Sequence, residues 1–246
     1  MKKIFIPLSI LTFFIVSCGS NEVETLPELG SVYLPLSIGK TTIFDVDSVL
    51  YKQEIKQGFV KIDTNNWQIQ EILQDTFRDS EGNLTYRIER FERKKGTLKW
   101  NITKVFSTAL TQKYALRNEN NLRYIKFPNY FKEKTVWNGN IFNDTVKIVA
   151  NDDILELFSK QWTFTVLSFG KSEKIGNKLY DDVLTVQSQI DPKILTEKRF
   201  VLEKYAKGIG LVSKVEKILD TQKLDGNIEW EKRAEKGFIV KQTISN

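Results

Sequence analysis

Two hydrophobic patterns divide the chain. From Ile4 to Val16 the residues are apolar apart from Ser9 and Thr12, a run with no alternation. Further along, apolar and polar positions alternate, the period of a strand with one buried face. Trp67, Ile69, Leu73 and Phe77 alternate in this way with Gln68, Gln70, Gln74 and Thr76. Asp79-Ser80-Glu81-Gly82-Asn83 then supplies turn residues, and Leu84, Tyr86 and Ile88 resume the alternation, so the two runs predict a hairpin. Phe91 falls out of phase with that series, which predicts a bulge near Arg90. Lys94-Lys95-Gly96 turns the chain into Leu98, Trp100, Ile102 and Phe106, completing a three-stranded meander.

Further strands are expected around Lys113 to Arg117, Leu122 to Phe127, Thr145 to Val149, Gln161 to Phe169, Leu179 to Gln189 and Lys198 to Tyr205. Many short strands with regular turns predict a mainly β fold: a curved antiparallel sheet, open barrel or sandwich, with one or two short helices. One helix is expected where Asn151 can cap Asp152, Asp153, Ile154, Leu155, Leu157 and Phe158. Leu211, Val212, Val215, Ile218 and Leu219 fit helical spacing, yet Leu211, Val215 and Leu219 also fit one face of a strand, and periodicity does not arbitrate.

The amino terminus has its own logic. Lys2 and Lys3 precede the apolar run, which is shorter than the roughly 20 residues a membrane-spanning helix needs, and small residues follow it. This is the layout of a cleaved signal peptide. The tetrad Ile15-Val16-Ser17-Cys18 resembles the lipobox of bacterial lipoproteins. The resemblance implies cleavage before Cys18 and attachment of diacylglycerol to its thiol, with acylation, as by palmitate, of the new amino group. Cys18 is the single cysteine of 246 residues, so it has no internal disulfide partner, and acylation accounts for its presence. Each buried methylene contributes about 0.8 kcal/mol, so two or more acyl chains hold a protein stably on a membrane. Gly19, where inner-membrane lipoproteins of many Gram-negative bacteria carry Asp, resembles the outer-membrane-sorted case.

The expected organisation is a signal peptide over 1–17, a lipid-anchored tether over 18–30 that is polar and acidic through Glu22, Glu24 and Glu28, and a single β-rich domain over 31–246. The precursor carries 37 basic and 31 acidic residues. With Lys2 and Lys3 removed, 35 face 31, a net +4. The charges are interleaved, as in Glu89-Arg90-Phe91-Glu92-Arg93-Lys94-Lys95, and form no basic stripe, so nucleic acid is not an expected partner.

A second resemblance concerns the body. Tyr205-Ala206-Lys207-Gly208-Ile209-Gly210-Leu211-Val212 is similar to a segment found late in uncharacterised β-rich lipoproteins of Bacteroidota, where it forms a turn leading into a strand. Tyr33-Leu34-Pro35-Leu36, soon followed by Gly39, resembles the opening of the same proteins. What this implies is a fold and no activity. Gly208 and Gly210 permit positive φ in a tight turn; a phosphate-cradling loop would also need a third glycine and a following helix, and no cofactor is expected.

Candidate chemistry is sparse. No histidine is present, which excludes Ser-His-Asp and Cys-His catalysis and imidazole ligation of zinc. The remaining inventory makes carboxylate-pair glycan hydrolysis the enzyme class to weigh, with Asp45 and Asp47, Asp152 and Asp153, and Asp181 and Asp182 as the adjacent acids, although adjacency does not define such a pair. Asp45 and Asp47 share a face if 41–51 is a strand, but lack the successive ligands of a calcium loop. Among the tryptophans, Trp67, Trp100 and Trp162 alternate with aliphatics and are expected in the core, whereas Trp137, before the turn signal Asn138-Gly139, is the one to inspect for exposure. Asp47-Ser48-Val49 and Asp144-Thr145-Val146 match a bacterial O-glycosylation pattern that arises easily by chance.

Three functions follow. The first is a noncatalytic envelope protein binding a partner protein or glycan, with the membrane engaged through lipid on Cys18. The second is a carrier enclosing an apolar ligand such as an acyl chain, which requires a pocket of several hundred Å3 and with which 16 phenylalanines are compatible. The third is a hydrolase, which requires two carboxyls about 5 to 9.5 Å apart in an open cleft.

Overall fold

The computed structural model describes residues 28–54, 59–143, 145–150, 153–158, 162–191 and 193–245. Residues 1–27, with the expected signal peptide, Ile15, Val16, Ser17, Cys18 and most of the tether, lie outside the described residues.

The sequence runs β1 (Glu28–Leu29), a 3-10 turn (Gly30–Tyr33), β2 (Thr41–Glu54), β3 (Phe59–Arg78), β4 (Leu84–Lys94), β5 (Asn101–Leu110), β6 (Tyr114–Glu119), β7 (Leu122–Pro128), β8 (Tyr130–Phe131) and β9 (Val136–Asn138). It continues through β10 (Thr145–Ala150), β11 (Asp153–Phe158), β12 (Thr163–Ile175), β13 (Lys178–Gln189), β14 (Glu197–Ala206), β15 (Gly210–Asp220), α1 (Trp230–Arg233) and β16 (Lys236–Ile244). Twelve of these form one antiparallel sheet in the order β7-β6-β5-β4-β3-β2-β16-β15-β14-β13-β12-β9. Two meanders, β2 to β7 and β12 to β16, are joined where the carboxy-terminal strand pairs with β2, from Gly237↔Tyr51 to Ile244↔Phe44. The far edges approach each other: the Ile125 amide donates to the Gly139 carbonyl at 2.8 Å and the Trp137 indole donates to the Ile125 carbonyl at 3.1 Å. The sheet is therefore a nearly closed barrel, which leaves little free edge for pairing with another chain.

Local chemistry explains the turns. Asp79 Oδ1 accepts from the amides of Glu81 at 3.0 Å and Asn83 at 2.8 Å, fixing the β3–β4 turn. Asn120 and Asn121, at φ 52° and 63°, form the two-residue β6–β7 turn, where both central residues need positive φ. The bulge expected near Arg90 is present as a register shift between Arg90 and Phe91 against β5. A second shift, between Leu73 and Asp75, inverts the phase of β3 and leaves Phe77 45% exposed instead of continuing the buried face.

One expectation is corrected and one open reading is decided. The segment read as a helix after Asn151 is strand β11, paired with β10 from Thr145↔Phe158 to Ala150↔Asp153; Asn151 and Asp152 lie outside the described residues. Its apolar residues suit either period, and the cross-strand partner decides. The 211–219 segment is strand β15, hydrogen-bonded on both sides by β14 and β16. The helical content is α1 and the 3-10 turn among the described residues.

One part of the barrel interior is packed with aromatic rings. Tyr33, Phe127 and Phe131 are almost wholly buried, with ring centroids 6.0 Å apart for Tyr33 and Phe131 and 4.9 Å for Phe127 and Tyr205. Tyr33 comes from the 3-10 turn, which is tied down by Gly30 N–H to the Asn129 carbonyl at 2.6 Å and by Gly208 N–H to the Val32 carbonyl at 2.8 Å. Gly208 and Gly210, at φ 72° and 100°, form the tight β14–β15 turn that this contact requires.

Candidate functional site

Beside that core the interior opens into a cavity of about 360 Å3. The pleat builds it: alternate residues of each strand point the same way, so Phe44 and Val46 on β2, Ile69 and Leu73 on β3, Ile88 on β4 and Val240 on β16 make an apolar wall, extended by Leu34, Leu36 and Leu211. Among and beyond them are charged side chains that also line the cavity: Glu71 on β3, Arg90 and Glu92 on β4, Lys104 on β5, Arg117 and Glu119 on β6, Lys126 on β7, Glu203 on β14, and Lys214 and Glu216 on β15. Lys40, just before β2, adds a further ammonium.

Eight of these charges are paired, in three groups that are coupled through space into one network. Glu71 Oε1 accepts from Arg90 and from Arg117, each at 2.6 Å. Arg117 also pairs with Glu119. Lys126 reaches across the barrel to Glu203 at 2.5 Å, and the Tyr205 hydroxyl donates to the other Glu203 oxygen at 2.6 Å. Lys214 pairs with Glu216 at 2.8 Å. Tyr205 is thus the joint between the two interiors, its ring on Phe127 and its hydroxyl on the network.

Electrostatics follow from burial opposed by pairing. Burial pushes the Glu71 carboxyl upward, but Arg117 and Arg90 outweigh it and hold the group below the usual carboxylate range. Glu119 is likewise driven down, burial being overcome by Arg117, Lys214, Arg90 and Lys126. Glu203 is lowered against its own burial by Lys126 and Lys214. Burial and then the Glu119 carboxylate push the Tyr124 phenol up to about 12. A glycosidase needs one carboxyl raised so that it can donate a proton near neutrality. Glu71, Glu119 and Glu203 are shifted the opposite way, which suits them to charge balance and not to donating a proton.

Other residues singled out by sequence lie elsewhere. Asp45 and Asp47 do share a face of β2; Asp45 accepts from Gln68 at 3.0 Å and Ser245 at 2.8 Å, while Asp47 is exposed. Asp182 accepts from the Tyr33 hydroxyl at 2.6 Å and the Gly170 amide at 3.0 Å, and Asp181 is exposed. Neither acid pair enters the cavity. Trp137 is buried, stacked on Phe164 with centroids 5.6 Å apart, because Asn138-Gly139 forms the seam between the sheet edges and not an exposed hairpin turn. Trp162 is in the core as expected. Trp100 is half-buried beneath the Arg93 guanidinium at 4.3 Å, and Trp67 lines the cavity.

No protein-family model matches the chain, and no curated protein matches it. Two solved structures are similar. One is a candidate lipoprotein from Parabacteroides distasonis, at 10% identity and a TM-score of 0.32, over 87% of this chain and 96% of that one. The other is a candidate exported protein with a YmcC-like fold from Bacteroides fragilis, at 10% identity and a TM-score of 0.31, over 86% and 98%. At this level neither likeness transfers a property to the present chain.

Sequence reasoning missed the network itself. Its signal is a charged residue in phase with an apolar series: Glu71 between Ile69 and Leu73, Glu203 between Val201 and Tyr205, and Lys214 and Glu216 between Val212 and Ile218. Such positions face the interior, and a charge there demands a partner.

Proposed function

We propose that this chain is a bacterial lipoprotein, cut before Cys18 and anchored there by lipid in the outer membrane, whose 31–246 domain binds a small, largely apolar molecule inside its barrel without chemically changing it. The anchor rests on the sequence: a signal-type amino terminus, the Ile15-Val16-Ser17-Cys18 tetrad and a lone cysteine. The binding reading rests on the interior cavity. About 360 Å3 lies within the range of small-molecule sites, roughly 300 to 1,000 Å3, and much of the lining on β2, β3 and β16 is apolar. A barrel built only for rigidity fills its lumen with side chains. Here side chains and ion pairs leave part of the lumen open.

Mass spectrometry of small molecules released from the mature protein, after extraction from its own membrane, tests this reading. An amphiphilic or apolar compound at near-equimolar amount supports it. A glycan or a protein partner as the sole companion selects the surface-binding alternative.

A further inference from the structure

We infer that the cavity selects an amphiphile with a single anionic head, its acceptor oxygens taken by Lys40 and its apolar body laid along the β2–β3 wall. This rests on the cavity being a binding site, as proposed above.

Six cationic side chains but five carboxylates line the cavity. Arg90, Arg117, Lys126 and Lys214 are matched by acids within the network. Lys40 is different: its ammonium is half-buried and donates to two backbone carbonyls, Pro35 at 3.0 Å and Ile209 at 2.6 Å, while a Lys ammonium carries three donors. It sits among Leu34, Pro35, Leu36, Ile209 and Leu211, where a charge has little to balance it. Burial accordingly lowers the Lys40 pKa, and a bound anion would relieve that cost.

The rest of the lining balances. Arg90, Arg117, Lys126 and Lys214 face Glu71, Glu119, Glu203 and Glu216, and Lys104 and Glu92 add one charge of each sign, so the excess over the whole cavity is one positive charge. The complement of Lys40 is an acceptor group carrying one negative charge, and a monocarboxylate suits it better than a multiply charged head.

The test uses photoreactive diazirine derivatives of decanoic acid and decanol, applied to membranes containing the full chain and normalised to labelling of bulk membrane protein. Adduct peptides are mapped by mass spectrometry. The acid is expected to label peptides of β2 and β3 about tenfold more than the alcohol, equivalent to about 1.4 kcal/mol. Lys40→Met should reduce acid labelling to the level of the alcohol, and Lys40→Arg, which keeps the charge, should preserve the preference. Equal labelling by acid and alcohol in the wild type overturns the anion preference and leaves the cavity reading standing. No cavity labelling by either probe overturns both. An unchanged preference in Lys40→Met removes Lys40 from the site. Should Lys40→Met fail to accumulate, the wild-type ratio and the Lys40→Arg ratio still decide the outcome.

Discussion

The barrel interior is filled in two ways, and they meet at Tyr205. On one side Tyr33, Phe127, Phe131 and Phe164 pack ring against ring with almost no exposure. On the other, Glu71, Arg90, Arg117, Glu119, Lys126 and Glu203 form ion pairs beside an open cavity. Aromatic rings close-pack because they need only shape. Paired charges are held at fixed oxygen-to-nitrogen distances and angles, so the space beside them stays open. The contrast teaches that a cavity can be maintained by rigid polar struts as well as by large apolar walls, provided each strut is neutralised.

Removing one member from each interior gives the largest effects. Phe127→Ala should cost about 3–5 kcal/mol in urea denaturation, since it deletes a wholly buried ring from a tight cluster. Glu71→Gln should cost about 3 kcal/mol, because it leaves Arg90 and Arg117 short of a buried counter-charge. If Glu71→Gln costs less than about 1 kcal/mol, the network is not a strut.

Acid separates the two regions further. The Glu71, Glu119 and Glu203 carboxyls have folded pKa values below the ordinary 4.5. Their contribution is therefore complete above about pH 4.5 and is lost as pH falls through the lower folded values. The urea midpoint of the wild type should fall steeply below pH 4.5. Phe127→Ala should follow a parallel curve at lower stability, whereas Glu71→Gln should show a shallower slope. Parallel curves for all three proteins would mean that the interior acids do not carry the acid sensitivity.

The smallest effect is expected at the surface. Lys61 and Asp63 are 3.1 Å apart with side chains 53% and 41% exposed, so Asp63→Asn should change stability by less than about 0.5 kcal/mol. A larger loss there would undo the distinction between paired charges in the lumen and paired charges in water.

Much of the fold is legible in the sequence because a half-buried strand writes its period directly. The Trp67–Leu73 alternation, the Asp79–Asn83 turn and the bulge at Arg90 all follow from residues within a few positions of one another. What is not legible depends on distant partners. Ile154, Leu155, Leu157 and Phe158 fit a helix until β10 lies beside them, and Trp137 precedes a hairpin dipeptide whose glycine instead bonds to Trp162 and Ile125. The network is the extreme case. Glu71 is one polar letter in an apolar series, and its meaning needs Arg117, 46 residues away, and a closed barrel to bring the two together.

The central claim, that the cavity beside the network holds a ligand, is tested most directly by native mass spectrometry of the protein released from its own membrane. Thr42, on β2, lines the cavity and is half-buried, so Thr42→Trp should fill the space without entering the aromatic core. The wild type is expected to carry a bound small molecule, and the Thr42→Trp chain to be bare and to unfold at a similar urea concentration. A wild type that is bare, or a Thr42→Trp chain loaded as fully as the wild type, would contradict it.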